Sequence, residues 1–158
     1  MQTDTIKQIA GELKKANYIW IIGNGGSAAL ADHFACDLLK NCGLRAVSLC
    51  SNSALCTAIG NDINFDDIFS EQLKILLKPG DVLFCLSTSG KSNNILRAMK
   101  YAYSLKIEKI IIGVSSRSKG FFKIFSDILC HIQSKNMQEC EDKMNVLCHK
   151  ICKELKRG

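Results

Sequence analysis

Apolar positions at Ile6, Ile9, Ala10 and Leu13 recur at helical spacing behind the cap residues Thr3 and Asp4, so a helix is predicted over Asp4 to Ala16. The pattern then changes. Tyr18-Ile19-Trp20-Ile21-Ile22 is a continuous apolar run, the mark of a strand covered on both faces. Runs of the same kind recur at Arg45–Leu49, Val82–Leu86, Ile110–Val114 and Ile128–Ile132. Between them lie helical patterns over Ala28 to Lys40, Phe65 to Leu77, Asn93 to Leu105, Lys119 to Phe125 and Met137 to Leu155. Asn41-Cys42-Gly43 supplies a glycine stop, and Lys78-Pro79-Gly80-Asp81 a turn. Strand alternating with helix predicts an α/β fold, a doubly wound five-stranded parallel sheet with helices on both faces.

The chain has 158 residues, which predicts one domain over 1–158 with a short N-terminal helix within 1–16. At 47% hydrophobic and 23% charged it has the composition of a packed core rather than a disordered segment. No apolar run approaches the ~18 residues a membrane span needs, and Met1-Gln2-Thr3-Asp4 lacks the order of a signal peptide. A soluble, cytoplasmic protein without membrane contact is expected. The net charge of +6 is partly gathered at Lys150, Lys153, Lys156 and Arg157, where cations complement the end of a helix. The excess suits an anionic substrate, with nucleic acid the lesser alternative. The nine cysteines form no CxxC pair and sit mostly in apolar stretches, which predicts reduced, mostly buried thiols.

In doubly wound sheets ligands bind beyond the carboxyl ends of the strands, and two loops there are unusual. Gly23-Asn24-Gly25-Gly26-Ser27-Ala28 follows the first strand run, and Ser87-Thr88-Ser89-Gly90-Lys91-Ser92-Asn93 follows the third. Each leads into a helix start, where free N–H groups and the positive dipole end favour an anion. Glycine lets backbone approach the ligand, and hydroxyls add donors, a combination suited to a phosphate monoester. The competing reading is that Ser and Asn merely cap helices. The spacing Gly23-x-Gly25-x-x-Ala28 imitates a dinucleotide fingerprint, but the second strand run ends Ser48-Leu49-Cys50-Ser51-Asn52 without the carboxylate that would hold a ribose. Gly90-Lys91-Ser92 imitates the end of a phosphate-binding P-loop, but the required upstream glycine is Cys85.

Two further pairs carry metal or acid–base chemistry. His33 and Asp37 are four apart, about 40° around a helix, and Glu141 and His149 are eight apart, about 80°. Two imidazoles and two carboxylates match the donors of zinc or a related divalent ion. Spacing alone does not bring the pairs together, and each alone reads as surface polarity. His131, within a strand run, reads as a satisfied buried or edge residue.

Taken together, Gly23-Asn24-Gly25-Gly26-Ser27-Ala28-Ala29, Asp32-His33-Phe34-Ala35, Gly60-Asn61-Asp62 and Ser87-Thr88-Ser89-Gly90-x-Ser92-x-Asn94 resemble the SIS (sugar isomerase) domain family. Within it the chain is most similar to the phosphoheptose isomerases, which convert sedoheptulose 7-phosphate to a heptose 7-phosphate. The resemblance runs from about Tyr18 to the C-terminus. It implies an SIS-type sheet of flavodoxin-like strand order and an aldose–ketose isomerase serving heptose and surface-polysaccharide synthesis. It places substrate contacts at Asn24, Gly25, Gly26, Ser27, Asn61, Asp62 and Glu141, and phosphate contacts at Ser87, Thr88, Ser89 and Ser92. Zinc ligands fall on His33, Asp37, Glu141 and His149, with Asp37 and His149 as the catalytic pair. A homotetramer with shared active sites is also implied. The chain departs from the family pattern in five respects, the first being a helical segment before Tyr18 shorter than the family's N-terminal helix. Position 37 is Asp where Glu is usual, and position 141 is Glu where the better-known members have Gln. Position 144 is Met where a sub-group has His, and the segment Leu38 to Ala46 is short and lacks an arginine-rich stretch. The alternatives are isomerisation of another sugar phosphate and a non-catalytic phosphosugar-binding or protein-interaction module.

Overall fold

Strands that are apolar on both faces need cover on both sides, and here they receive it. The computed structural model describes residues 3–117 and 119–157. Met1, Gln2, Ser118 and Gly158, counted in the expected 1–158 domain, lie outside the described residues. Chain order is α1 (Thr3–Lys15), β1 (Ile19–Ile22), α2 (Gly26–Cys42), β2 (Ala46–Ser48), α3 (Ser53–Asp62), a 3₁₀ turn (Phe65–Asp67), α4 (Ser70–Leu76), β3 (Asp81–Ser87), α5 (Asn93–Ser104), β4 (Lys109–Ser115), α6 (Gly120–Phe125), β5 (Ile128–His131) and α7 (Met137–Leu155). The sheet has five parallel strands in the order β2-β1-β3-β4-β5. Among the described residues no helix is long and apolar enough to cross a membrane.

Alternation along each strand divides the core into two layers. Ile19, Ile21, Val82, Phe84 and Leu86 face a cluster with Leu13 of α1, Phe34 and Leu38 of α2, and Leu147 and Ile151 of α7. Trp20, Ile22, Leu83 and Cys85 face the other side, with Leu73 of α4, Ile95 and Met99 of α5, and Phe122 of α6. Thus α1, α2 and α7 share one face of the sheet.

The α2 stop falls where the glycine signal put it. Gly43 has φ +69°, and its N–H and that of Leu44 both donate to the Leu38 carbonyl. Two expectations change. The single helix expected over Phe65 to Leu77 is a 3₁₀ turn followed by the shorter α4. The Asn64 side chain accepts from the Asp66 N–H and starts a separate turn, which interrupts the helical run. Residues 53–62, which carried no helical expectation, form α3, capped by the Asn52 side chain accepting from the Leu55 N–H at 3.0 Å. Only Ile59 of α3 is buried, so the helix lacks the apolar stripe that periodicity detects.

Asp81 fastens the start of β3 to β1. Its carboxylate, 2% exposed, accepts from the Tyr18 N–H at 3.0 Å, the Trp20 indole at 2.9 Å and the Lys78 N–H at 2.8 Å. A buried carboxylate is tolerated because its oxygens are satisfied, and its removal strands three donors. Asp81→Ala is therefore expected to lower stability by about 2–3 kcal/mol in urea unfolding; an unchanged midpoint would show the three bonds to be dispensable.

Candidate active site

The strand order reverses between β1 and β3, so the loops leaving these neighbouring strands diverge, α2 to one face and α5 to the other. The resulting crevice is the usual ligand position in such sheets. Both hydroxyl- and glycine-rich loops border it.

In the first loop, Gly25 holds φ +53° at the N-cap of α2, a conformation open to glycine at little cost. A Cβ on Gly26 would come 2.5 Å from Oε1 of Glu141, so only hydrogen leaves room for that carboxylate against the loop. Ser27 is buried, and its N–H donates to the Asn24 carbonyl at 2.9 Å. The Asn24 side chain exchanges two amide hydrogen bonds, 2.8 and 2.9 Å, with the buried Asn94 of α5. Asn94 also accepts from the Ile95 N–H. Asn24 thus ties the two loops across the crevice.

In the second loop the hydroxyls gather around Ser87. Its Oγ lies 3.4 Å from that of Ser89 and 3.5 Å from that of Ser92, and accepts from the Gly90 N–H at 3.1 Å. Ser89 Oγ accepts from the Lys91 N–H. Ser92 occupies the N-cap of α5 without a capping side-chain bond. The capping explanation therefore fails for Ser92, whose hydroxyl joins the loop cluster instead. The Thr88 carbonyl accepts from the N–H of Arg117, an exposed cation that lines a small cleft with Thr88 and Ser89. Arg117 and Asn94 were not among the site residues expected from sequence, although Asn94 stands inside the quoted serine motif.

The distant His–carboxylate pairs are partly united. His33 and Asp37 stand one turn apart on α2, and His149 comes from α7, which packs beside α2 on the same face of the sheet. His33 Nε2 and His149 Nε2 are 3.2 Å apart, and Asp37 Oδ2 is 3.6 Å from the first and 3.8 Å from the second. Donor atoms of all three lie within 4.8 Å of one another. The other carboxylate oxygen, Oδ1, accepts from the Asn41 amide at 2.8 Å, which orients Oδ2 toward the imidazoles. Glu141 stands outside this trio, against Gly26, and shares with His33 a cavity of about 300 Å³ that Ser27, Met144 and Asn145 also line. Asn145 lies midway between Glu141 and His149 at spacings of four, a stripe visible in the sequence. Met144 is fully buried and serves the core as well as the cavity wall. Asn61 and Asp62 are exposed at the end of α3, where the Asn61 amide donates to Asp62.

The trio fits a divalent cation. Two tetrahedral ligands, each about 2.0–2.1 Å from zinc, stand about 3.3 Å apart, close to the spacings here. Two imidazoles and one carboxylate are the donor number of sites that keep a position open for water or substrate. Without a cation the Nε2–Nε2 contact needs one ring to donate, whereas ligation needs both Nε2 lone pairs. Nearby thiols do not compete. Burial pushes the Cys148 thiol well above its usual range and raises Cys152 to about 12.

Comparison with known proteins gives the family and the fold. The SIS domain family matches residues 3–116. The chain belongs to the SIS domain family. It is 35% identical to the phosphoheptose isomerase of Crocosphaera subtropica over 156 residues, covering 96% of this chain and 79% of that protein. Identity to the phosphoheptose isomerase of Synechocystis is also 35%, over 93% of this chain and 77% of that one. Among solved structures, phosphoheptose isomerase GmhA from Neisseria gonorrhoeae superposes with a TM-score of 0.88 at 32% identity, covering 96% of this chain and 85% of that one. The Francisella tularensis phosphoheptose isomerase gives 0.89 at 28%, covering 99% and 86%. The α/β sheet expected from the residues is the fold of these enzymes.

If the trio holds one cation, equilibrium dialysis against zinc followed by elemental analysis should give one ion per chain. His33→Ala and His149→Ala should each weaken uptake about a hundredfold or more while leaving thermal stability nearly unchanged, because both imidazoles are half exposed. Equal uptake by both variants would remove the trio as the site.

Proposed function

We propose that this protein is a phosphoheptose isomerase, interconverting sedoheptulose 7-phosphate and a glycero-manno-heptose 7-phosphate. The observation that carries the reading is the convergence of His33, Asp37 and His149 from two helices beside the glycine loop, in a chain about one-third identical to phosphoheptose isomerases over nearly its whole length.

The reaction moves a proton between two adjacent carbons and needs a base, an acid and stabilisation of the enediolate between them. Asp37 presents Oδ2 as the base at one carbon, with Asn41 holding its other oxygen. His149 would deliver or receive the proton at the neighbouring position when its Nε2 is not ligating, and its place beside Asp37 allows the two to divide the transfer. A divalent ion, zinc first, held by His33, Asp37 and His149 with one position left open to the sugar, would supply positive charge against the developing oxyanion, and Glu141, beside Gly26, would contact the substrate instead of the ion. Ser87, Thr88, Ser89 and Ser92 grip the phosphate, with the α5 N-terminus behind them and Arg117 at the edge. This remote grip lets binding energy orient the reacting carbons. Gly25, Gly26 and Ser27 bring backbone and hydroxyl donors to the sugar. Asn24 holds that loop against Asn94 while offering its remaining polar capacity, and Asn61 and Asp62 complete the contacts.

The same reading includes one SIS domain over the whole chain, a cytoplasmic enzyme, and a homotetramer whose subunits share active sites. Its product serves heptose and surface-polysaccharide synthesis. Asp37 is one methylene shorter than the usual Glu, and the Asn41 bond fixes the carboxylate's direction.

Purified protein incubated with zinc and sedoheptulose 7-phosphate should form the aldose. His149→Ala should reduce kcat at least a hundredfold with phosphate binding retained, whereas Ser89→Ala should mainly raise KM, by about tenfold. Absence of turnover in zinc-loaded protein that binds the sugar phosphate would instead identify a binding module.

A further inference from the structure

A cavity of about 790 Å³ lies away from the crevice, between α1, the end of β5 and α7. Its walls are of two kinds. Lys119, Lys143, Lys150 and His131 supply cations and a polar ring, while Ile6, Ile132 and Val146 supply apolar surface. Lys143, Val146 and Lys150 recur at spacings of three and four on α7, so they share one flank of the helix. Glu141, Asn145 and His149 share the other flank. The buried Cys140, Leu147, Cys148 and Ile151 lie between the two flanks, against the sheet. One helix therefore serves two separate concavities.

Charge in this cavity is largely uncompensated. Lys143 pairs with Glu139 at 2.8 Å and donates to the Gln133 carbonyl at 2.7 Å. Lys119 and Lys150 make no ion pair among the described residues. His131 supplies a second, independent indication. Contrary to the satisfied residue expected from the sequence, its Nδ1 is buried without a hydrogen-bond partner. Such a nitrogen is least costly as a bare lone pair, which puts the ring proton on Nε2 and makes the imidazole a donor. Desolvation and the nearby Lys119 both hold the ring's pKa below its usual value, so the ring stays neutral. Two unpaired ammonium groups, a third partly paired one and a neutral donor, facing an apolar wall, define the complement of one kind of molecule.

We propose that this cavity binds an organic phosphate, with its anionic group among Lys119, Lys150 and His131 and its apolar part against Ile6, Ile132 and Val146. The volume is that of a pocket for a ligand larger than a bare phosphate ion. The inference does not depend on the isomerase reading, because none of these residues belongs to the crevice, the serine loop or the His–Asp trio.

Phenyl phosphate and inorganic phosphate are suitable probes, followed by methyl NMR of the full chain. Phenyl phosphate should shift the Val146, Ile6 and Ile132 methyl signals saturably and more tightly than inorganic phosphate does. Lys150→Ala and Lys119→Ala should each weaken that response about threefold or more, and Ser89→Ala should leave it intact. The folded state of each lysine variant is checked by its remaining methyl spectrum, and both side chains are exposed. Shifts confined to the Thr88 methyl of the serine loop, or a response of the cavity methyls that Lys150→Ala and Lys119→Ala leave unchanged, would overturn the proposal, as would no saturable shift at all.

Discussion

The packing of α7 beside α2 on one face of the sheet is the interaction on which the candidate chemistry depends. His149 is 116 residues from His33, yet their Nε2 atoms stand 3.2 Å apart. Nothing polar needs to draw the two helices together. Phe34 and Leu38 of α2, and Leu147, Cys148 and Ile151 of α7, are buried in a common layer with Ile21 and Phe84 below them. Hydrophobic burial is non-directional, but the close packing of such a layer fixes helix position closely enough to aim side chains at its rim. The polar trio is thus held by an apolar contact that lies beneath it.

A second constraint acts at right angles to the first. Strand order 2-1-3-4-5 opens a crevice between β1 and β3, and the reciprocal Asn24–Asn94 amide pair closes its floor. The helices that follow run to opposite faces, so their N-termini both border the gap without crowding each other. Gly26 adds a steric link between the two constraints, since its missing side chain admits the Glu141 carboxylate of α7 to the first loop. The glycine loop and His33 of the trio therefore border one cavity, while the serine loop leads into α5 on the opposite face of the sheet.

The thiols follow from the same economy of packing. Cys85, Cys130, Cys140, Cys148 and Cys152 are buried and behave as small apolar residues, with burial raising the pKa values of Cys85, Cys130, Cys148 and Cys152. Cys42, Cys50 and Cys56 are half-buried and Cys36 is exposed, so only part of the set belongs to the core. The Arg97–Asp67 pair at 2.7 Å and the Asn93–Asp66 bond attach the 3₁₀ turn to the start of α5, steadying the crevice's outer wall from exposed positions.

Sequence determined the sheet, the alternation of layers and the two anion-suited loops, because each is written in local periodicity or in residues adjacent along the chain. The five apolar runs became the five strands, and the Gly43 stop held. Residues 53–62 escaped notice because α3 buries too little to print a stripe, and the helix expected over Phe65 to Leu77 broke at a polar turn that periodicity does not register. The His33–Asp37 pair was likewise legible, being one helical turn. Only the tertiary structure decided that His149 joins that pair while Glu141 turns to Gly26, that Asn24 reaches Asn94, and that Lys150 lines a cavity with His131 instead of merely ending a helix. The reason is physical. Such meetings depend on how apolar faces far apart in the chain stack upon one sheet, and neither partner's local sequence records the angle at which they do so.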